Sequence, residues 1–244
     1  MRRFRFRAVF LLLACYVAVI SFAIFRMGDS LMVGGALEAD PLVIIDAGHG
    51  GFDGGAEGLQ GIVEKDLNLP IALKLRDLLR MEGFRVIMTR ESDVSTCDEG
   101  LGSISEKKTS DIMNRYEILK ENPDAIYIGI HQNKFPESSS FGAQMFYGPQ
   151  SEQSEVLAGI LQQNFRELLQ PENKREPKRA QDNIFLLYHA PIPAVLIECG
   201  FVSNPGDAVK LVDEDYQNKL AYVISGSLLQ YIEQGYYPQV EPEL

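Results

Sequence analysis

Three apolar segments in this sequence each run into a residue able to bind a metal or move a proton. Val43-Ile44-Ile45 leads to Asp46 and then His49, Ile126 to Ile130 leads to His131, and Ala194 to Ile197 leads to Glu198. If the segments are parallel strands, these residues gather along the carboxyl edge of one sheet, where open α/β folds place their sites. Two neutral imidazoles and one or two carboxylates around a cleft suit zinc with an open coordination position. There the metal acidifies a bound water while a further carboxylate shuttles protons. Asp53, Glu57, Glu64 and Asp66 are all candidates for the additional carboxylate, and spacing alone does not choose among them. Each signal also has a plain structural alternative, since a lone histidine beside a strand more often bonds loop backbone than holds a metal. Glu198 is harder to explain that way, because a carboxylate directly after four apolar residues enters a partly buried region and needs a cation or a donor there. His189, in LLYHAP, also follows an apolar run, but the neighbouring Pro191 and Pro193 favour a turn role. The loop DAGHGGFDGG lacks the G-x-G-x-x-G spacing and the P-loop lysine, which argues against a nucleotide.

The elements that must position these residues can be read from periodicity. Strands are predicted over Leu42 to Ile45, Phe84 to Thr89, Ala125 to Ile130, Gly142 to Tyr147, Ile184 to Tyr188 and Ala194 to Ile197. Helices are predicted over Asn68 to Met81, from a cap at Ser110 or Asp111 to Glu121, over Ser151 to Leu169, and over Tyr216 to Gln234, with polar loops at Thr96 to Lys108 and Pro171 to Asp182. Strands alternating with helices predict an α/β three-layer sandwich: a mostly parallel sheet covered by helices on both faces.

Composition narrows the function classes. The 244 residues carry a net charge of −11, and residues 1–26 hold five of the 23 basic residues and none of the 34 acidic ones, so the remainder is at −16. An acidic body argues against nucleic acid as a partner, because counterion release needs a basic face. The cationic flank MRRFRFR followed by the 18-residue run Ala8 to Phe25, broken only by Ser21, reads as a membrane-spanning segment with the body on the outer side. An uncleaved anchor is favoured over a signal peptide, since no small-residue site lies close behind the run. The organisation expected is a basic flank and transmembrane anchor over 1–26, a linker over 27–40, a catalytic domain over 41–234 and a tail over 235–244. Cys15, Cys97 and Cys199 are too few for a disulfide framework.

The segments VIIDAGHGGFDGGA, GIVEKDLNL, IGIHQN and AVLIECGFVSN, in this order, closely resemble the zinc-dependent N-acetylmuramoyl-L-alanine amidases, and the resemblance covers residues 42 to 232. It implies that His49, Glu64 and His131 hold zinc, that Glu198 is the catalytic carboxylate, and that Arg90, Arg115 and Asn133 also match the family. Asp46 is expected to orient His49 by a hydrogen bond. The substrate implied is peptidoglycan, cut between the lactyl group of muramic acid and L-alanine. The short body without wall-binding repeats looks most like the germination-specific amidases of the spore cortex. That resemblance puts the protein at the outer face of a bacterial membrane, including the forespore intermembrane space, with an accessory protein as a further partner. Ala47, Gly129 and Gln132 depart from the proline, serine and alanine usual in the family, and Gly129 is expected to loosen the support of His131. The competing readings are a zinc carboxypeptidase or deacylase on another substrate, and a non-catalytic binding module. The basic cluster Lys174, Arg175, Lys178 and Arg179 reads either as a solvated loop or as a contact for stem-peptide carboxylates or an acidic partner.

Overall fold

The computed structural model describes residues 41–237. The anchor and linker predicted over 1–40, and 238–244 of the predicted tail, lie outside the described residues. Among the described residues, no helix is long and apolar enough to cross a membrane.

Six strands make one sheet: β1 (Leu42–Ala47), β2 (Arg85–Met88), β3 (Ala125–Asn133), β4 (Gln144–Tyr147), β5 (Lys178–Arg179) and β6 (Ala194–Phe201), in the order β2-β1-β3-β6-β4-β5. β2, β1, β3 and β6 are mutually parallel, whereas β4 runs antiparallel to β6 and carries β5 parallel at the edge. The chain steps outward from β1 to β2 and then crosses to β3 on the other side, which opens a crevice between the carboxyl ends of β1 and β3. The register sets Asp46 beside Gly129, Gly129 beside Leu196, and His131 beside Glu198. Polar residues from three strands therefore stand in adjacent rows of one face.

The helices are α1 (Glu64–Met81), α2 (Ile104–Glu121), α3 (Glu152–Leu168), α4 (Phe185–His189), α5 (Pro205–Leu211) and α6 (Glu214–Glu233). Alternate strand residues feed two cores, as the two-residue period requires. Leu42, Ile44, Tyr127, Ala194 and Leu196 pack with Leu119 of α2 and Leu187 of α4. On the opposite side, α1 packs on β1 and β3, α3 packs on β4, and α6 lies against α1 and α3. The α1 leucines at helical spacing, Leu67, Leu75 and Leu79, are buried on that side.

Several local predictions are corrected. Residues 184–188 form no strand: the run becomes the short helix α4, because four consecutive apolar residues fit either period and the open place beside β6 is taken by β4. α2 begins at Ile104 rather than after Ser110, and its cap is Ser103, whose side chain accepts from the Glu106 N–H while Glu106 bonds back to Ser103. Asp111 thus lies inside the helix, free to reach the site. α1 starts at Glu64, earlier than Asn68, which puts the Glu64 carboxylate in a first turn. α5 has no counterpart in the predicted elements. Asn204 caps it and Pro205 fills its first position, a pairing that resembles a loop in sequence.

Leu75 is fully buried between α1 and the sheet. Leu75→Ala is expected to lower unfolding stability by about 3 kcal/mol, read as a drop in urea midpoint at constant m.

Candidate metal centre and active site

After β1 the chain turns back over the sheet edge, and His49 takes a left-handed backbone at φ 62°. A non-glycine residue holds that conformation only where its surroundings impose it. Here Arg115 donates to the His49 carbonyl at 2.8 Å, and Arg90 donates to the carbonyls of Ala47, Gly48 and Lys65. The loop has no room for side chains at two points. A Cβ at Gly48 would lie 2.2 Å from the His131 ring, and one at Gly55 would lie 2.5 Å from Glu64 Oε2.

Three side chains converge beneath this loop. His49 Nε2 lies 3.2 Å from Glu64 Oε2, and His131 Nδ1 lies 3.0 Å from Glu64 Oε1. His49, Glu64 and His131 each offer one ligand atom, all within 4.8 Å of one another. Two imidazole nitrogens and a carboxylate oxygen at that separation fit a divalent metal. Glu64 is held for the purpose by the first turn of α1, where the helix dipole favours a negative charge. It is also held by N–H donors from Gln132 at 3.0 Å and Ala56 at 2.8 Å. Among the other carboxylate candidates, Glu57 and Asp66 are exposed, and Asp53 has a different task. Asp53 Oδ2 sits 2.8 Å from His49 Nδ1 while Lys108 pairs with its other oxygen at 2.9 Å, so the carboxylate fixes the ring from behind.

Asp46 does not perform that role. It accepts hydrogen bonds from Thr89 at 2.6 Å and Tyr127 at 2.7 Å and forms a buried ion pair with Arg115. Its side chain points along the sheet face toward α2, and only through Arg115 does it reach the backbone of His49. Asp111 completes the cluster, accepting from Arg115 Nε at 2.8 Å. Burial opposes ionisation of Asp46, but the Arg115 guanidinium, His131 and the Thr89 and Tyr127 hydroxyls together outweigh it and hold the carboxyl down at about 2. Gly129 also has a clear purpose, since a Cβ there would meet the Tyr127 hydroxyl at 2.9 Å. The missing side chain makes room for the Tyr127 bond to Asp46. His189 closes α4 with its ring against Phe185 and Tyr188, apart from the metal group. Tyr127 and Thr89 carried no signal in the sequence, because a hydroxyl inside or after a strand is ordinary.

Glu198 stands beside His131 on β6, and its Oε2 is buried without a partner among the described residues. Burial, opposed by His131 and reinforced by Glu64, pushes its carboxyl up to about 7. A carboxyl poised there can both accept and return a proton near neutrality. Gln144 of β4 is its neighbour on the other side. A cleft of about 270 Å³ opens beside His49 and His131, walled by Ile112, Tyr127, Phe185 and Leu196. The arrangement suits metal-assisted hydrolysis of a polar bond presented beside an apolar wall.

Residues 43–230 match the model of the N-acetylmuramoyl-L-alanine amidase family, Amidase_3. The chain belongs to this family. A germination-specific N-acetylmuramoyl-L-alanine amidase of Bacillus subtilis is 38% identical over 199 residues, covering 81% of this chain and 83% of the relative. The CwlD amidase of Clostridioides difficile, solved in complex with the GerS lipoprotein, is 39% identical with a TM-score of 0.76, over 80% of this chain and 99% of that one. The amidase AmiC2 of Nostoc punctiforme aligns with a TM-score of 0.67 at 26% identity, over 80% of this chain and 98% of that one. The protein is a hydrolase of the amidase type, and the convergent residues lie within the matched span.

Two outcomes follow from the electrostatics. Burial disfavours charge on His49, but the Glu64 and Asp53 carboxylates outweigh it and raise its pKa to about 9. Metal ligation needs the neutral ring, so zinc binding near pH 7 is expected to release about one proton, measured by calorimetry in buffers of differing ionisation enthalpy. No release would show that the His49 ring is already neutral before zinc binds. For Asp46 the folded pKa lies below its ordinary 3.8, so the ion pair stabilises the fold above that value and loses its effect as the pH falls toward about 2. The stability gap between wild type and Asp46→Asn, about 3 kcal/mol at neutral pH, should therefore shrink in acid denaturation series.

Proposed function

We propose that the enzyme uses zinc to cleave the amide between the lactyl group of N-acetylmuramic acid and L-alanine of the peptidoglycan stem, and that it does so in the spore cortex. The observation that carries the chemistry is the His49, Glu64 and His131 donor set beside Glu198, whose buried oxygen has no partner among the described residues. The cortex assignment is supported by the likeness to the germination-specific relative. We assign the body to the outer face of a bacterial membrane, anchored or secreted, with the forespore intermembrane space as its setting. An accessory protein is included because the CwlD relative was solved with a lipoprotein.

In this reading His49, Glu64 and His131 hold the zinc, which supplies carbonyl polarisation and an acidified water when bound. The remaining work belongs to the chain. Glu198 takes the proton of the attacking water and returns one to the departing L-alanine amine, a two-way transfer suited to a pKa near 7. Apolar side chains of the cleft exclude bulk water and so strengthen every charge interaction inside it. Arg90 and the Asp46–Arg115 pair keep the His49 loop in its strained form. Asn133, half-buried two residues beyond His131, is assigned to substrate contact.

The test is a digest of spore-cortex peptidoglycan by the purified enzyme, with and without chelator, read by mass spectrometry for stems that begin with L-alanine. Glu198→Gln should retain zinc while losing roughly a hundredfold or more in turnover. Zinc retention with wild-type turnover would remove Glu198 from the catalytic role.

A further inference from the structure

The basic segment Lys174 to Arg179 supplies no residue to the metal group or to the cleft beside it. Three of its cations, Lys174, Lys178 and Arg179, are exposed and without a carboxylate partner among the described residues. Arg175 differs from them. Its guanidinium lies over the ring of Phe201, 4.6 Å from the centroid, and its Nε donates to the Phe141 carbonyl at 3.0 Å. The backbone around it is fixed as well: Arg166 donates to the carbonyls of Asn173 at 2.9 Å and Arg175 at 2.8 Å, and pairs with Glu176 at 2.8 Å. The two terminal nitrogens of Arg175 engage no group among the described residues. An arginine stacked and held through Nε keeps its remaining donors in a fixed fork, the geometry that a carboxylate accepts with both oxygens.

Two connections tie the segment that carries this fork to the strands around Glu198. Phe201 lies on the same strand as Glu198, three residues on, which is no more than about 10 Å of strand. Across the sheet, Gln144 pairs in register with Glu198 and donates from Nε2 to the carbonyl of Glu176, next to Arg175, at 2.6 Å. An extended peptide covers about 10 Å in three residues. A stem peptide whose first amide sits at Glu198 therefore brings its second or third residue within reach of Arg175.

We propose that Arg175 binds a carboxylate of the peptide stem and so selects anionic stems over amidated ones, with Lys174 and Lys178 supplying a local positive field in an otherwise acidic protein. The inference rests on the amidase reading above and deepens it by naming the part of the substrate that is recognised. Arg175 is a specificity residue and takes no part in bond cleavage.

The test uses the full-length zinc-loaded protein and two synthetic muropeptides, one with free stem carboxylates and one with those groups amidated. Wild type should show a KM about tenfold lower for the acidic substrate, with similar kcat, the difference shrinking as salt is raised. Arg175→Gln should raise KM for the acidic substrate to that of the amidated one without changing zinc content, and Arg175→Lys should recover only part of the preference, because it restores charge without the fork. Equal KM values of wild type for the two substrates would overturn the proposal without any variant being needed. An equal loss by Arg175→Gln on both substrates would also overturn it. Failure of wild type to cut either one would instead remove the amidase reading on which it stands.

Discussion

Taking Arg115 and Asp46 out of water together costs several kcal/mol per charge unless close pairing and full hydrogen bonding offset it. The structure meets that condition from all sides: Asp46 accepts from Thr89 and Tyr127 as well as from Arg115, and Arg115 spends its remaining donors on Asp111 and on the carbonyls of Ala47 and His49. One cation thereby joins the end of β1, helix α2 and the loop that carries His49. Removing either member would leave the other buried and uncompensated. The left-handed turn at His49, and with it the position of the imidazole against Glu64, depends on this pair more directly than on any apolar contact.

Around that fixed point, the site separates two carboxylates by environment. Glu64 is surrounded by donors and by two imidazoles, which outweigh its burial and hold it well below the usual carboxylate range. Glu198, on β6, has a buried oxygen with no partner among the described residues and is pushed the other way. Residues of the same type become a permanent anion and a proton carrier because one meets backbone N–H groups at a helix start and the other meets a strand face.

The carboxyl-edge logic was legible in the sequence because each apolar run stops abruptly at a polar residue. His49, His131 and Glu198 came from that rule alone, and the structure brings them to one edge. Glu64 did not, since a helix start four residues before the leucine pattern looks like loop, and only resemblance singled it out. Asp46 was noticed for its position at a strand end, yet its partner was misjudged: side-chain direction depends on register, and a residue directly in the strand points across the sheet face while one in the loop beyond can fold back on the ring. Helix α4 escaped for the opposite reason, because four apolar residues carry no period of their own and what decides their form is which neighbour already occupies the sheet edge.

The pairing of Glu198 between His131 and Gln144 has one more consequence. Side chains alternate along β6, so a slip of a single residue would present Ile197 or Cys199 to the cleft and send the carboxylate into the helix-covered core. A chain with the wrong register would lack its proton carrier, the deficit that Glu198→Gln imposes. For a hydrolase directed at a load-bearing polymer, this ties full activity to the completion of folding: a misregistered copy carries the ligand histidine of β3 but lacks the carboxyl that moves the proton until the central strands pair correctly.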